Sequence, residues 1–220
     1  MLDKINSLYV KEKNLLKGIW TNHSKSFIKY WIFVLSLVVL SYLTMYVSLE
    51  FFGVDVKKFA KGFTESSSLK NAPIDKDSYW KGTVMLFKNN WTVCLQIVII
   101  SFIPIRFLYN LSLITSSVGL GIALGLAQKL GMNMFEGIVL GVLPHSILEL
   151  SVFIVTAIYA NKINKIIVGK ILNLFRRDKK SFPSLWESIK ETFFVFIFAI
   201  TPLIFIAAFI EGYVTRFLFN

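Results

Sequence analysis

The stretch Tyr30–Leu49, YWIFVLSLVVLSYLTMYVSL, runs for twenty residues without a charge between Lys29 and Glu50. A bilayer hydrocarbon core about 30 Å thick is crossed by roughly 20 mostly apolar residues of α-helix. This segment therefore predicts a spanning helix, and the rest of the chain is to be read as a membrane protein. The composition agrees: 55% of the residues are hydrophobic, 17% are charged, and mean hydropathy is +0.63. A soluble domain carries fewer apolar and more charged residues. The segment before Tyr30 has lysines but no small-residue cleavage site ahead of the apolar run, so the first span is expected to remain in the mature protein.

Outward from this helix, the same search for charge-poor windows finds four more. Asn89–Ile105 contains Pro104 near its end and is followed by Arg106, and Phe107–Gln128 then runs without a charge. These are two antiparallel spans joined at Pro104-Ile105-Arg106, or one long kinked helix. Gly137–Asn161 is interrupted only by His145 and Glu149, and Thr192–Phe219 only by Glu211 and Arg216. The fold expected is an all-α polytopic bundle of about five transmembrane helices. Its single transmembrane domain covers 30–220, with spans near 30–49, 89–105, 107–128, 137–161 and 192–219.

The net charge of +11 could suggest nucleic acid, but the basic residues lie in blocks between apolar runs and do not interleave with aromatics on one polar face. Lipid headgroups are the anionic partner that this pattern predicts. The connection 162–191 begins with isoleucines at helical spacing among Lys162, Lys165 and Lys170, followed by Arg176, Arg177, Lys179 and Lys180. It predicts a basic amphipathic surface helix. Residues 1–29 repeat the pattern more weakly. Lysine and arginine beside span ends favour the cytoplasmic face, and four spans separate the two basic segments. Both are expected there, with loop 50–88 and the C-terminus outside.

Cys94 is the single cysteine, so no intrachain disulfide or cysteine-based metal site can form. The most unusual residues are the charges within the spans. His145 and Glu149 are four apart and share a helix face, where a hydrogen-bonded pair would lessen the cost of burial. Glu211 in the last span must also be held by another helix. Arg106 and Arg216 are its candidate charge partners, or interfacial anchors. Pro144 and Pro202 predict kinks. Ser117, Gly121 and Gly125 in the third span, with Gly137 and Gly141 in the fourth, form small-residue faces at intervals of four and predict close packing of these two spans. A packing role for the polar cluster outweighs proton relay, substrate contact or metal binding. With His23 and His145 the only histidines, a zinc site would need carboxylates from several spans. No nucleophile elbow, triad or Walker motif occurs, so neither catalytic residues nor a metal or other cofactor are expected.

Pro144-His145-Ser146-Ile147-Leu148-Glu149-Leu150 and Ala207-Ala208-Phe209-Ile210-Glu211 resemble two motifs of the stage II sporulation protein M family. The family forms are similar to Pro-His-Gly-Ile-Leu-Glu-Leu in the fourth span and Ala-Ala-x-Ile-Glu in the last; Ser146 stands here in place of the glycine. The resemblance extends from about Asn89 to the C-terminus. It implies a multi-pass protein of a Gram-positive-like cell membrane. The family's named member belongs to a complex acting with peptidoglycan-degrading partners during engulfment in sporulation. Other members are associated with bacteriocin production, export or self-immunity, often beside an ABC-type ATPase. The expectation is a non-catalytic subunit of an envelope complex, with a permease-like component as the alternative and an intramembrane enzyme third. Its partners would be the bilayer, other membrane or envelope proteins, such an ATPase, or further copies of the chain.

Overall fold

The computed structural model describes residues 2–53, 55–66, 79–131 and 142–215, with side chains over 23–53, 55–62, 79–131 and 142–213. Every regular element among them is helical: α1 (Leu2–Phe51), α2 (Val56–Ser66), α3 (Tyr79–Ile100), α4 (Leu111–Lys129), α5 (Leu143–Leu174), α6 (Leu185–Val195) and α7 (Thr201–Phe209). A π-turn, Phe196–Ile200, joins α6 to α7, and a second, Ile210–Thr215, follows α7. Five stretches are long and apolar enough to cross a membrane: His23–Phe51, Tyr79–Ile100, Leu108–Lys129, Leu143–Leu174 and Leu185–Tyr213. The all-α bundle of five spans is therefore observed. The question of one helix or two over 89–128 is resolved as two.

The helices extend past charges that a search for charge-free windows treats as boundaries. The second span starts at Tyr79 rather than Asn89, with Lys81 and Lys88 exposed on its surface. Long amphipathic side chains can leave their stems on an apolar helix and carry the charge outward. The last span starts at Leu185 rather than Thr192. Its N-cap is Ser184, whose Oγ accepts from the Glu187 N–H at 3.4 Å, the Ser-x-x-Glu arrangement that satisfies an otherwise orphaned helix donor. The connection after Asn161 is not a separate surface helix, because α5 continues unbroken to Leu174. Ile163, Asn164, Ile166 and Gly169 in this extension are buried, so it packs against protein. Residues 2–22 likewise continue α1 as helix. Their side chains lie outside the described residues, as do Gly137, Gly141 and Arg216.

α5 is the central helix. Ser146, Leu150, Phe153, Ala157, Ala160 and Asn164, at alternating steps of four and three, are all buried, as are many residues on its other faces. By contrast, Ile28, Ile32, Leu35, Val39, Leu43 and Val47 of α1 are exposed. So continuous an apolar surface would be a liability in water. It is what a bilayer-facing helix presents.

Neighbouring helices are identified by their contacts. Ser41 faces Gly121 and Met45 faces Gly125; because both numbers advance together, α1 and α4 run parallel, as first and third spans must. A Cβ on Gly121 would overlap the Ser41 hydroxyl and the Val38 carbonyl, and one on Gly125 would lie 3.2 Å from Met45 Cβ. The small-residue face of the third span thus packs on the first, not on the fourth as expected. Between helices equally apolar outside, close backbone approach and dispersion decide pairing.

At one end of the bundle, the His23 ring meets Tyr159 edge-on at 5.6 Å, Lys162 pairs with Glu191, and Phe182 packs over Gly169. The start of the first span and the basic connection therefore share an end, in agreement with the parity argument. At the opposite end Glu50 pairs with Lys129 at 2.8 Å and Tyr79 stacks on Tyr213.

Candidate functional site

The intramembrane polar cluster is assembled by α3, α5 and the last span. On α3 and the turn that closes it, Thr83, Asn90, Cys94, Ile97 and Ser101 are all buried and follow a seven, four, three, four spacing that keeps them on one helical face. This face is turned toward α5. Asn90 Nδ2 donates to Glu149 Oε1, Thr156 Oγ1 donates to Cys94 Sγ at 3.5 Å, and Asn164 Nδ2 donates to the Ser101 carbonyl at 3.0 Å. The numbers rise together, so α3 and α5 run parallel with three polar contacts along their seam. The Glu149 carboxyl is thus held by Asn90 rather than by His145. His145 Nδ1 is buried without a hydrogen-bond partner, and the pair expected from the i, i+4 spacing does not form.

Glu211 approaches from the last span, close enough for its charge to interact with Glu149. The short sequence around it explains how it gets there. Ala207 and Ala208 are fully buried, so α7 lies tightly against its neighbours. Gly212 has room only for hydrogen, since a Cβ there would overlap the Thr83 side chain. Glu211 and Gly212 lie within the second π-turn, a helical irregularity often found where a side chain must be redirected. The first π-turn marks the expected irregularity at Pro202. Proline has no N–H for the preceding turn, and Thr201 Oγ1 donates back to the Phe196 carbonyl at 2.9 Å while accepting from Trp91 Nε1 at 3.2 Å. Pro144 sits in the first turn of the described part of α5, and the residues whose carbonyls its missing N–H would have met lie outside the described residues.

Three of the expected residues are brought to one region: His145, Glu149 and Glu211. Arg106 is not. It lies in the turn that Asn164 clasps, and Asn164 is 15 residues from Glu149 on α5, about 22 Å along the axis. Asn90 and Thr83 are the members that the sequence reading missed. Their signal was a polar residue recurring on the apolar face of a helix, legible only once the helix is known to begin at Tyr79. Chemically, the cluster offers two carboxyl groups, an amide and an imidazole inside an apolar bundle. It can hold three helices in register, and it can carry a proton or contact a polar substrate. Both capacities are expected of ionisable groups at such depth.

The family model for Stage II sporulation protein M matches residues 30–216. The chain belongs to that family and, with its five apolar spans, is a multi-pass membrane protein. Neither a curated protein nor a solved structure matches it.

Proposed function

We propose that the chain is a non-catalytic membrane subunit of a bacterial cell-envelope complex, a rigid five-span platform that anchors partner proteins. The observation that supports this reading best is the clasp of Glu149 by Asn90. It assigns the acidic residue of the fourth-span motif a structural task, joining α3 to α5 at the level where the last span delivers Glu211. A hydrogen bond between membrane helices contributes modestly, about 0.6 kcal/mol on average and up to about 1.7. Its larger effect is on specificity, since a misregistered helix would leave a carboxyl and an amide unpaired in hydrocarbon. The basic end and the loop carrying α2 are the surfaces such a platform offers to cytoplasmic and external partners, with the N-terminus inside and the C-terminus outside.

One observation favours a second reading. The unpartnered His145 Nδ1, one helical turn before Glu149 on α5, suits a polar path through a permease-like subunit, with an ABC-type ATPase docked at the basic end. Glu149→Gln distinguishes the two, because glutamine retains an oxygen to accept from Asn90 but cannot carry a proton in the same way. A strain lacking the chromosomal gene and expressing the variant should recover the wild-type phenotype under the platform reading. A variant that accumulates normally in the membrane yet fails to complement would establish the permease-like reading instead.

A further inference from the structure

At the basic end a cavity of about 430 Å³ lies between the α3–α4 turn and the extension of α5. Four cationic residues line it, Arg106 from the turn, Lys165 from α5, and Arg176 and Lys180 from the connection to α6, and no acidic residue among the described residues does. Like charges are gathered this way against their own repulsion, so the walls must be held by something else. Each wall is anchored by an asparagine. Asn164 Nδ2 donates to the carbonyls of Ser101, Ile103 and Ile105 at 3.0, 2.7 and 3.4 Å, pinning the turn that presents Arg106. Asn173 donates to the Lys180 carbonyl at 2.7 Å and accepts from its N–H at 3.2 Å, folding the connection back along α5. Behind it Phe182 seats on Gly169, whose missing side chain leaves room for the ring. The pocket is therefore built by contacts that do not use its charges.

We infer that this pocket binds a phosphate group carried by an anionic membrane lipid. Arginine and lysine together match the charge and geometry of a phosphate ester. The rim indicates the source. Phe107, which lines the pocket, is 69% exposed, and Ile103 and Ile105 in the same turn are 42% and 56% exposed, at the level where the second and third spans meet. Phe107 keeps its outward position at the cost of a left-handed backbone, φ 69°, which is unfavourable for a bulky residue. Apolar side chains beside a phosphate site suit acyl chains continuing from a headgroup. Free phosphate would have no use for them.

The test uses the full chain purified in a zwitterionic detergent, with bound lipid counted by native mass spectrometry during titration with phosphatidylglycerol, phosphatidylcholine or inorganic phosphate. Wild type should retain phosphatidylglycerol over phosphatidylcholine by about ten-fold, and Arg106→Gln/Lys165→Gln should remove most of that preference. Lys57→Gln/Lys58→Gln on α2 should keep it. Should the first double variant melt below wild type, Arg176→Gln/Lys180→Gln in the connection provides the same comparison with two other walls of the pocket. Undiminished phosphatidylglycerol preference in both pocket variants would overturn the proposal. Saturable, Arg106-dependent binding of inorganic phosphate with no preference between the two lipids would overturn the lipid source.

Discussion

Gly121→Ala adds one methyl group where α1 and α4 are closest. The new Cβ would overlap the Ser41 hydroxyl and the Val38 carbonyl oxygen and would sit 3.0 Å from the Tyr42 nitrogen. Two of these three atoms belong to the backbone of α1, so a rotamer change cannot relieve the overlap and one helix must move. Overpacking of this kind costs about 1–3 kcal/mol, and the rigid neighbours place this variant at the upper end, about 2–3 kcal/mol or roughly 30- to 150-fold in the folding equilibrium. Two substitutions in the same helix serve as internal standards. Gly119→Ala meets nothing within 4 Å and should be neutral, or stabilising by up to about 1 kcal/mol through helix propensity. Gly125→Ala meets Met45 Cβ and the Tyr42 carbonyl at 3.2 Å and should cost less than about 1 kcal/mol. For a chain of this size each kcal/mol moves the midpoint by about 2–4 °C, so thermal melting in detergent should place Gly121→Ala about 5–10 °C below Gly119→Ala, with Gly125→Ala between. Equal midpoints for Gly119→Ala and Gly121→Ala would refute the parallel α1–α4 seam.

Glu149→Leu should lower the melting midpoint, because Asn90 then loses its acceptor, a cost of about 1–3 kcal/mol, whereas Glu149→Gln should stay within about 0.5 kcal/mol of wild type. A midpoint for Glu149→Leu equal to that of Glu149→Gln counts against the clasp. Asn164→Leu frees three carbonyls in the turn 101–105 and should increase amide hydrogen exchange there with little change in α4; unchanged exchange removes Asn164 from the role assigned to it. In a Cys94→Ala background, cysteines at Ser26 and Lys179 should react with an impermeant maleimide from the same side of sealed vesicles and one at Phe52 from the other. Opposite accessibility of the first two would break the topology.

How much was legible in the sequence differs from helix to helix. The five spans and the shared end of the two basic segments were legible, since both follow from hydropathy and parity. The limits of the spans were not. Lys81, Lys88 and Glu191 fall inside helices because an exposed side chain, or a partner such as Lys162, lets a charge remain on a spanning helix. His145, Glu149 and Glu211 stood out as charges in apolar runs, whereas Asn90, an uncharged residue, did not. A span search that weighs net charge gives it no particular value.

For this protein the sequence alone determined that five helices cross a membrane and that three ionisable side chains lie among them, because transfer into hydrocarbon is a property of each segment by itself. The tertiary structure decided which helices meet: α4 with α1 through Gly121, α3 with α5 through Asn90 and Glu149, and the last span with α3 through Gly212 and Thr83. Helices of nearly equal hydropathy have no preference among partners on that ground. Their pairing depends on whether a missing methyl group, or one amide and one carboxyl, find their complements across the seam, and those complements lie far apart in the chain.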